Sequence, residues 1–313
     1  GGPMSKKLSL NNIITGFLLH AESKRLSPHT IDTYNYAFDK LRAHIDGKTP
    51  LKDIKVAELT EFLASLDTLS NKTLLNIHAA LSTMWNWALR MGYAKKNPLL
   101  KIDRPRPERR EVVPLTKENV LALLKACNQT RSYTRPGKAE CSNSRPTALR
   151  DRAIILTLLD TGMRATELCD LQTADFDTKQ RHLVVMGKGR KERMLPISSI
   201  TVQAIWRYMA TRDDDTPADA PLFATQGGGP LDRDQLRRLL VRLAGRAEVS
   251  GVYPHKFRHT FAINFLRNGG NVYTLQKLLG HSTLDMVRRY LVIAQADIEI
   301  AHKQASPVLN WKL

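Results

Sequence analysis

A chain of 313 residues, 42% of them hydrophobic, is long enough for about two domains with ordinary cores. Forty-eight Lys and Arg against 30 Asp and Glu leave a formal charge of +18, spread along the chain and not gathered in one tail. That balance points to an extended polyanionic partner, nucleic acid first and an anionic membrane surface second. No apolar run reaches the length of a transmembrane helix and the start is no signal peptide, so a membrane-spanning chain is excluded. Cys127, Cys141 and Cys169 form no CxxC pair and no zinc-like Cys/His array, so a disulfide framework and a zinc site are excluded too. Inert, buried thiols in a reducing cytosol are expected. Gly1-Gly2-Pro3 before Met4 reads as a leftover of cloning and is set aside.

In chain order, residues 8–98 read as helices with short connectors. Leu8–Leu26 carries apolar residues at helical spacing. Ser27 as N-cap and Pro28 in the first turn start a second helix, predicted to run to Gly47. Lys55–Leu66 is a third. Ser70–Tyr93 is a fourth, with Leu74, Ile77, Leu81, Trp85 and Leu89 on one face, and Trp85 and Trp87 expected in or near the core. Asn97-Pro98 closes this region. The prolines and alternating charges of residues 99–115 make an extended basic linker, either solvated or lying along phosphates. Thr116 caps a helix that opens a second domain, residues 116–313. Residues 129–146 read as a polar surface loop. Residues 150–171 are helical on either side of Gly162. Two β-like runs flank Gly187-Lys188-Gly189-Arg190 as a hairpin. Helical patterns follow at 200–212, 232–247, 257–270 and 272–280, then the segment with Tyr290 and a closing amphipathic piece. The expected fold is mainly α, with a small antiparallel sheet in the second domain.

Tyr290, at the end of "KLLGHSTLDMVRRYL", is either a packed boundary residue or a nucleophile. A phenol with a pKa near 10 attacks a phosphodiester only with help. Fixed cations must hold the phosphate, planar arginines best of all. A base must stand near the phenol and an acid near the leaving oxygen. The second domain offers a residue for each task. Arg164 follows Gly162 in "TGMRATEL", and Glu167 is three residues on, placed to orient it. Lys188 occupies the hairpin turn. His255 and Arg258 are at i and i+3 in "PHKFRHTF", and His281 follows Gly280. Singly, each of these is more often structural or solvated.

Taken in order, Arg164, Lys188, His255, Arg258, His281 and Tyr290 resemble the tyrosine recombinase (phage integrase) family, with Xer-like intervals between positions 255, 258, 281 and 290. "LSPHTIDTYNYAFDKL" resembles the start of that family's helical core-binding domain, so the resemblance spans nearly the whole chain. It implies a core-binding domain and a mostly α catalytic domain forming a C-shaped clamp on double-stranded DNA. It also implies site-specific recombination through a 3′-phosphotyrosyl intermediate, with no metal, ATP or other cofactor. In that reading Tyr290 attacks, and Arg164 and Arg258 clamp the non-bridging oxygens. Lys188 protonates the leaving 5′ oxygen, His255 assists proton removal from the phenol, His281 bonds the phosphate and Glu167 supports Arg164. The implied assembly is a homo-tetramer on two duplexes carrying paired recombination sites. Ile298, Ile300 and Trp311 in the C-terminal segment are anchors for a neighbouring protomer, or else complete their own core; an accessory protein is left open.

Two features depart from the family's simplest members. The 129–146 loop is long, and Val292 stands where many members have His. A simple recombinase or mobile-element integrase working in the cytoplasm, on the nucleoid, fits best. DNA contacts are expected at Lys72, Asn76 and Arg90 on the fourth helix and at Arg190, Lys191 and Arg193 by the hairpin. Two rivals are a type IB topoisomerase, which reseals its own strand, and a non-catalytic DNA-binding regulator.

Overall fold

Ser27 and Pro28 do start a helix. The Ser27 hydroxyl accepts a hydrogen bond from the Thr30 amide at 3.2 Å, and Pro28 fills a first-turn position where no amide proton is needed. A computed structural model describes residues 8–106, 113–128, 145–187, 192–212, 216–280, 290, 302 and 306–311. Most of the 129–146 loop, the hairpin tip with Lys188, Arg190 and Lys191, Cys141, His281, Val292, Ile298 and Ile300 lie outside the described residues. The chain divides into two units, Gly1–Glu111 and Val112–Leu313.

The first unit holds α1 (Leu10–Ser23), α2 (Pro28–Arg42), α3 (Val56–Ala64) and α4 (Asn71–Arg90). Ser9, Ser27 and Ser70 cap three of them. Phe17, Phe38, Phe62 and Trp85 fill the core, and Trp87 lies edge-on to Phe17. Both tryptophans are buried, as their spacing predicts. The second helix ends at Arg42, well short of Gly47. Tertiary pairing overrides the local pattern there. The Asn11 amide donates to the Gly47 carbonyl at 2.9 Å and Leu10 to Thr49 at 2.8 Å, which draws the chain back onto the start of α1 and buries Ile45.

The second unit begins with α5 (Lys117–Asn128), capped by the Thr116 hydroxyl on the Asn119 amide at 3.2 Å. Buried α6 (Ala148–Thr161) packs against α5, α8 (Ser199–Met209) and α10 (Pro254–Arg267). Between α6 and α8 come α7 (Ala165–Asp170) and an antiparallel sheet in the order β1 (Phe176–Asp177), β2 (His182–Met186), β3 (Glu192–Pro196). The β2–β3 hairpin has the alternation that the sequence shows, with Leu183, Val185 and Leu195 facing the core. Two-residue β1 gives no such signal and is set by pairing Phe176 with Leu183. The remaining described helices are α9 (Arg233–Ala247), α11 (Val272–Leu279) and α12 (Pro307–Asn310). No helix among the described residues is long and apolar enough to cross a membrane. Cys127 and Cys169 are buried, and burial pushes both thiols up to about 12, so they are inert.

Gly162 joins α6 to α7 with a φ of 59°. A Cβ there would lie 2.5 Å from Cδ1 of Phe261 and 3.1 Å from Cδ2 of Leu279. Gly162→Ala is therefore expected to combine left-handed strain with overpacking and to lower the unfolding free energy by about 2–4 kcal/mol, read from urea denaturation.

Candidate active site

The tight turn at Gly162 delivers Arg164 to the N-terminus of α7. Its backbone N–H donates to Oε2 of Glu167 at 2.7 Å and its Nη1 to Oε1 at 2.7 Å. The sequence spacing predicts this pair. Its other half is not legible in the sequence: Arg193, on β3, donates to the same carboxylate through Nη1 at 2.9 Å and Nη2 at 2.7 Å. The Glu167 side chain is only 4% exposed. Burial alone would raise its pKa. The hydrogen bonds from Arg193 and from the Arg164 backbone and side chain, with the charge of Arg193, outweigh that and hold the carboxyl below its ordinary value.

Three guanidinium groups then converge on the end of α11. Arg193 Nε donates to the Leu278 carbonyl at 3.0 Å, Arg258 Nη2 to Leu279 at 2.7 Å, and Arg164 Nη2 to Gly280 at 3.1 Å. These carbonyls form the electronegative C-terminus of the helix, where cations are favoured. Gly280, at a φ of 63°, lets the chain turn off the helix, and a Cβ there would lie 3.0 Å from Arg193 Nη1. Arg258 also ties back to the Gly162 carbonyl through Nη1 at 2.8 Å. Burial first, and then the charge of Arg164, lower its pKa to about 10, so it remains a cation at neutral pH.

His255 lies in the first turn of α10, open to solvent. Partial desolvation and the charges of Arg258 and Arg164 pull its pKa below the usual imidazole value. Tyr290 is buried, and its ring belongs to a small cluster with Ala262, Ile263, Leu275 and Leu279. Its hydroxyl shares a 2.8 Å hydrogen bond with Nδ1 of His259. His259 lies one turn beyond His255, and its place at i+4 in "HKFRH" was the available signal.

The structure thus brings Arg164, Glu167, His255, Arg258 and Tyr290 together, with Arg193 and His259 added. Arg193, expected at the DNA, is held by Glu167 and the Leu278 carbonyl, and its side chain is 15% exposed. Lys72, Asn76 and Arg90 share the exposed face of α4 in the first unit. Trp311 is 72% exposed. Among the described residues, no three His, Cys, Asp or Glu gather as metal ligands.

A chain with these paired units, and with arginines, histidine and tyrosine in this order, defines a class. The phage integrase family profile matches residues 114–296, and the phage integrase SAM-like domain matches residues 9–103. The chain belongs to this family, the tyrosine recombinases, and is a site-specific DNA recombinase. It is 31% identical over 301 residues to tyrosine recombinase XerC of Pelobacter propionicus, covering 94% of this chain and 95% of that one. Against tyrosine recombinase XerA of Thermococcus onnurineus it is 29% identical over 300 residues, 95% and 96% of the two chains. Its fold is similar to the Tn1549 transposon integrase, solved in complex with a circular intermediate DNA, with a TM-score of 0.73 at 21% identity over 94% of this chain and 99% of that one.

Proposed function

We propose that Tyr290 is the nucleophile, attacking the scissile phosphate to leave a 3′-phosphotyrosyl bond and a free 5′ hydroxyl. The observation that carries this is the convergence of Arg164 and Arg258 on the end of α11, beside Leu279, against which the Tyr290 ring packs. Two guanidiniums fixed by backbone carbonyls are preorganised for the charge that develops on the non-bridging oxygens. Glu167 orients Arg164. His255 acts at the solvent side of the pocket in proton removal, His281 bonds the phosphate, and Lys188 gives its proton to the leaving 5′ oxygen. The 5′ hydroxyl of a second duplex reverses the step, so bond energy is kept and strands are exchanged.

The partner is double-stranded DNA with paired sites in the cytoplasm, and the working assembly is a homo-tetramer on two duplexes. The core-binding unit, residues 8–98, and the catalytic unit, 116–313, each contact DNA, the first through Lys72, Asn76 and Arg90. Exposed Val308, Leu309 and Trp311 fit docking of the C-terminal segment onto a neighbouring protomer.

The test uses nicked duplexes cut from the ends of the element that carries this gene. The wild-type protein should give an SDS-resistant adduct, and digestion should map the nucleotide to the peptide containing Tyr290. An adduct on another residue, or DNA binding with no adduct on any authentic end, would overturn the assignment.

A further inference from the structure

The phenol of Tyr290 meets a histidine, but not the one in the H-x-x-R pair. His259 Nδ1 lies 2.8 Å from its hydroxyl, and the two ring centroids are 5.5 Å apart. On the other side His259 stacks on His255 at 6.1 Å with 25° between the planes. The three rings form a row from solvent to core: His255 exposed, His259 half-buried, Tyr290 buried. His255 feels the charges of both Arg258 and Arg164, and His259 feels that of Arg258.

We infer that His259 is a positioning residue for the nucleophile: it holds the Tyr290 hydroxyl as a neutral imidazole, fixes the ring against Ala262, Ile263, Leu275 and Leu279, and does not take its proton. This rests on Tyr290 being the attacking group. Hydroxyl and Nδ1 can exchange donor and acceptor roles by a change of tautomer, so the bond survives either way. A ring packed against apolar side chains and hydrogen-bonded at its hydroxyl has its aim fixed. The aim is worth much, because a misplacement of about 1 Å costs on the order of 10²-fold in rate.

Proton abstraction is a different task, and the surroundings disfavour it. Burial, then His255, Arg258 and Lys256, pull the His259 pKa to about 4. An ordinary phenol titrates near 10, so transfer of its proton to such a ring is strongly uphill. The groups around His259 are His255, Lys256 and Arg258 on its own helix and Tyr290 facing it.

The test compares full-length wild type, His259→Phe and His259→Asn. Phe keeps an aromatic ring and deletes the bond. Asn places an amide near the position of Nδ1. On nicked duplexes at saturating protein, Phe should slow adduct formation by about 10–100-fold with DNA affinity unchanged. Asn should recover to within about fivefold of wild type and keep the wild-type pH profile across pH 5–9, a recovery that a purely structural role for the ring would not give. Phe at or above the wild-type rate would overturn the inference, the first showing no role and the second a restraint. Asn as slow as Phe would show that the hydrogen bond at the Nδ1 position does not carry the effect, and would overturn it as well.

A second measurement needs no cleavage. Nitration of Tyr290 by tetranitromethane, followed by peptide mass spectrometry, should be slow in wild type and Asn and several-fold faster in Phe. Equal rates in all three would sink the contact. If wild type forms no adduct yet the nitration order holds, the nucleophile assignment fails while the His259–Tyr290 bond stands.

Discussion

The Tyr290→Phe protein should bind its DNA site as tightly as wild type and form no covalent adduct, a loss on the order of 10⁴-fold or more, as when the nucleophile of a concerted set is removed. The separation of effects follows from where each group lies. DNA affinity comes mainly from Lys and Arg on phosphates, and the chain's charge of +18 is untouched by the change. The ring remains among Ala262, Ile263, Leu275 and Leu279, so packing is kept. The bond to His259 is lost, which costs about 1 kcal/mol of stability. Gel shifts, SDS gels of the same samples and urea melts read the three quantities separately. Residual adduct in the Phe variant would name a different nucleophile.

Glu167→Gln should have the second large effect. The carboxylate is the anion shared by Arg164 and Arg193, and the Glu167 side chain is 4% exposed. Glutamine keeps the shape but offers an amide N–H where the guanidiniums need an acceptor. Breaking one partner of such a buried set costs about 3 kcal/mol, discounted here because the Arg164 side chain is 35% exposed. Arg164 also loses its orientation, so the cleavage rate should fall about 10²-fold. The pH dependence carries the sign. A carboxyl whose pKa is depressed on folding contributes stability above its ordinary value of 4.5. That contribution disappears as pH falls through the lower folded value. The stability gap between wild type and Gln, widest at neutral pH, should therefore narrow below pH 4.5. A gap that stays constant down to the acid transition would mean that shape, not charge, was lost.

Local chemistry makes much of this molecule legible in its sequence. Ser27-Pro28, Thr116 and the Gly162 turn each announce a boundary through a cap or a forced backbone, and the structure has all three. The Arg164–Glu167 pair followed from adjacency on one helix turn. What escaped depends on residues far apart in the chain. Arg193 is an unremarkable strand cation until the hairpin carries it to Glu167. The end of α2 is set by pairing with the start of α1, which no helical pattern near Gly47 reveals. His259 stands beside Arg258, and nothing local in the sequence ties it to Tyr290, which reaches it only through the fold.

The three arginines at the end of α11 come from α7, β3 and α10, and they bind consecutive carbonyls. None of these segments can move away without breaking its bond to the helix end. The three bonds thus tie α7, β3 and α10 to one point, the end of α11. A displacement of β3 pulls through Arg193 on both the Leu278 carbonyl and Glu167, and Glu167 in turn holds Arg164, so the strand and that arginine are mechanically linked.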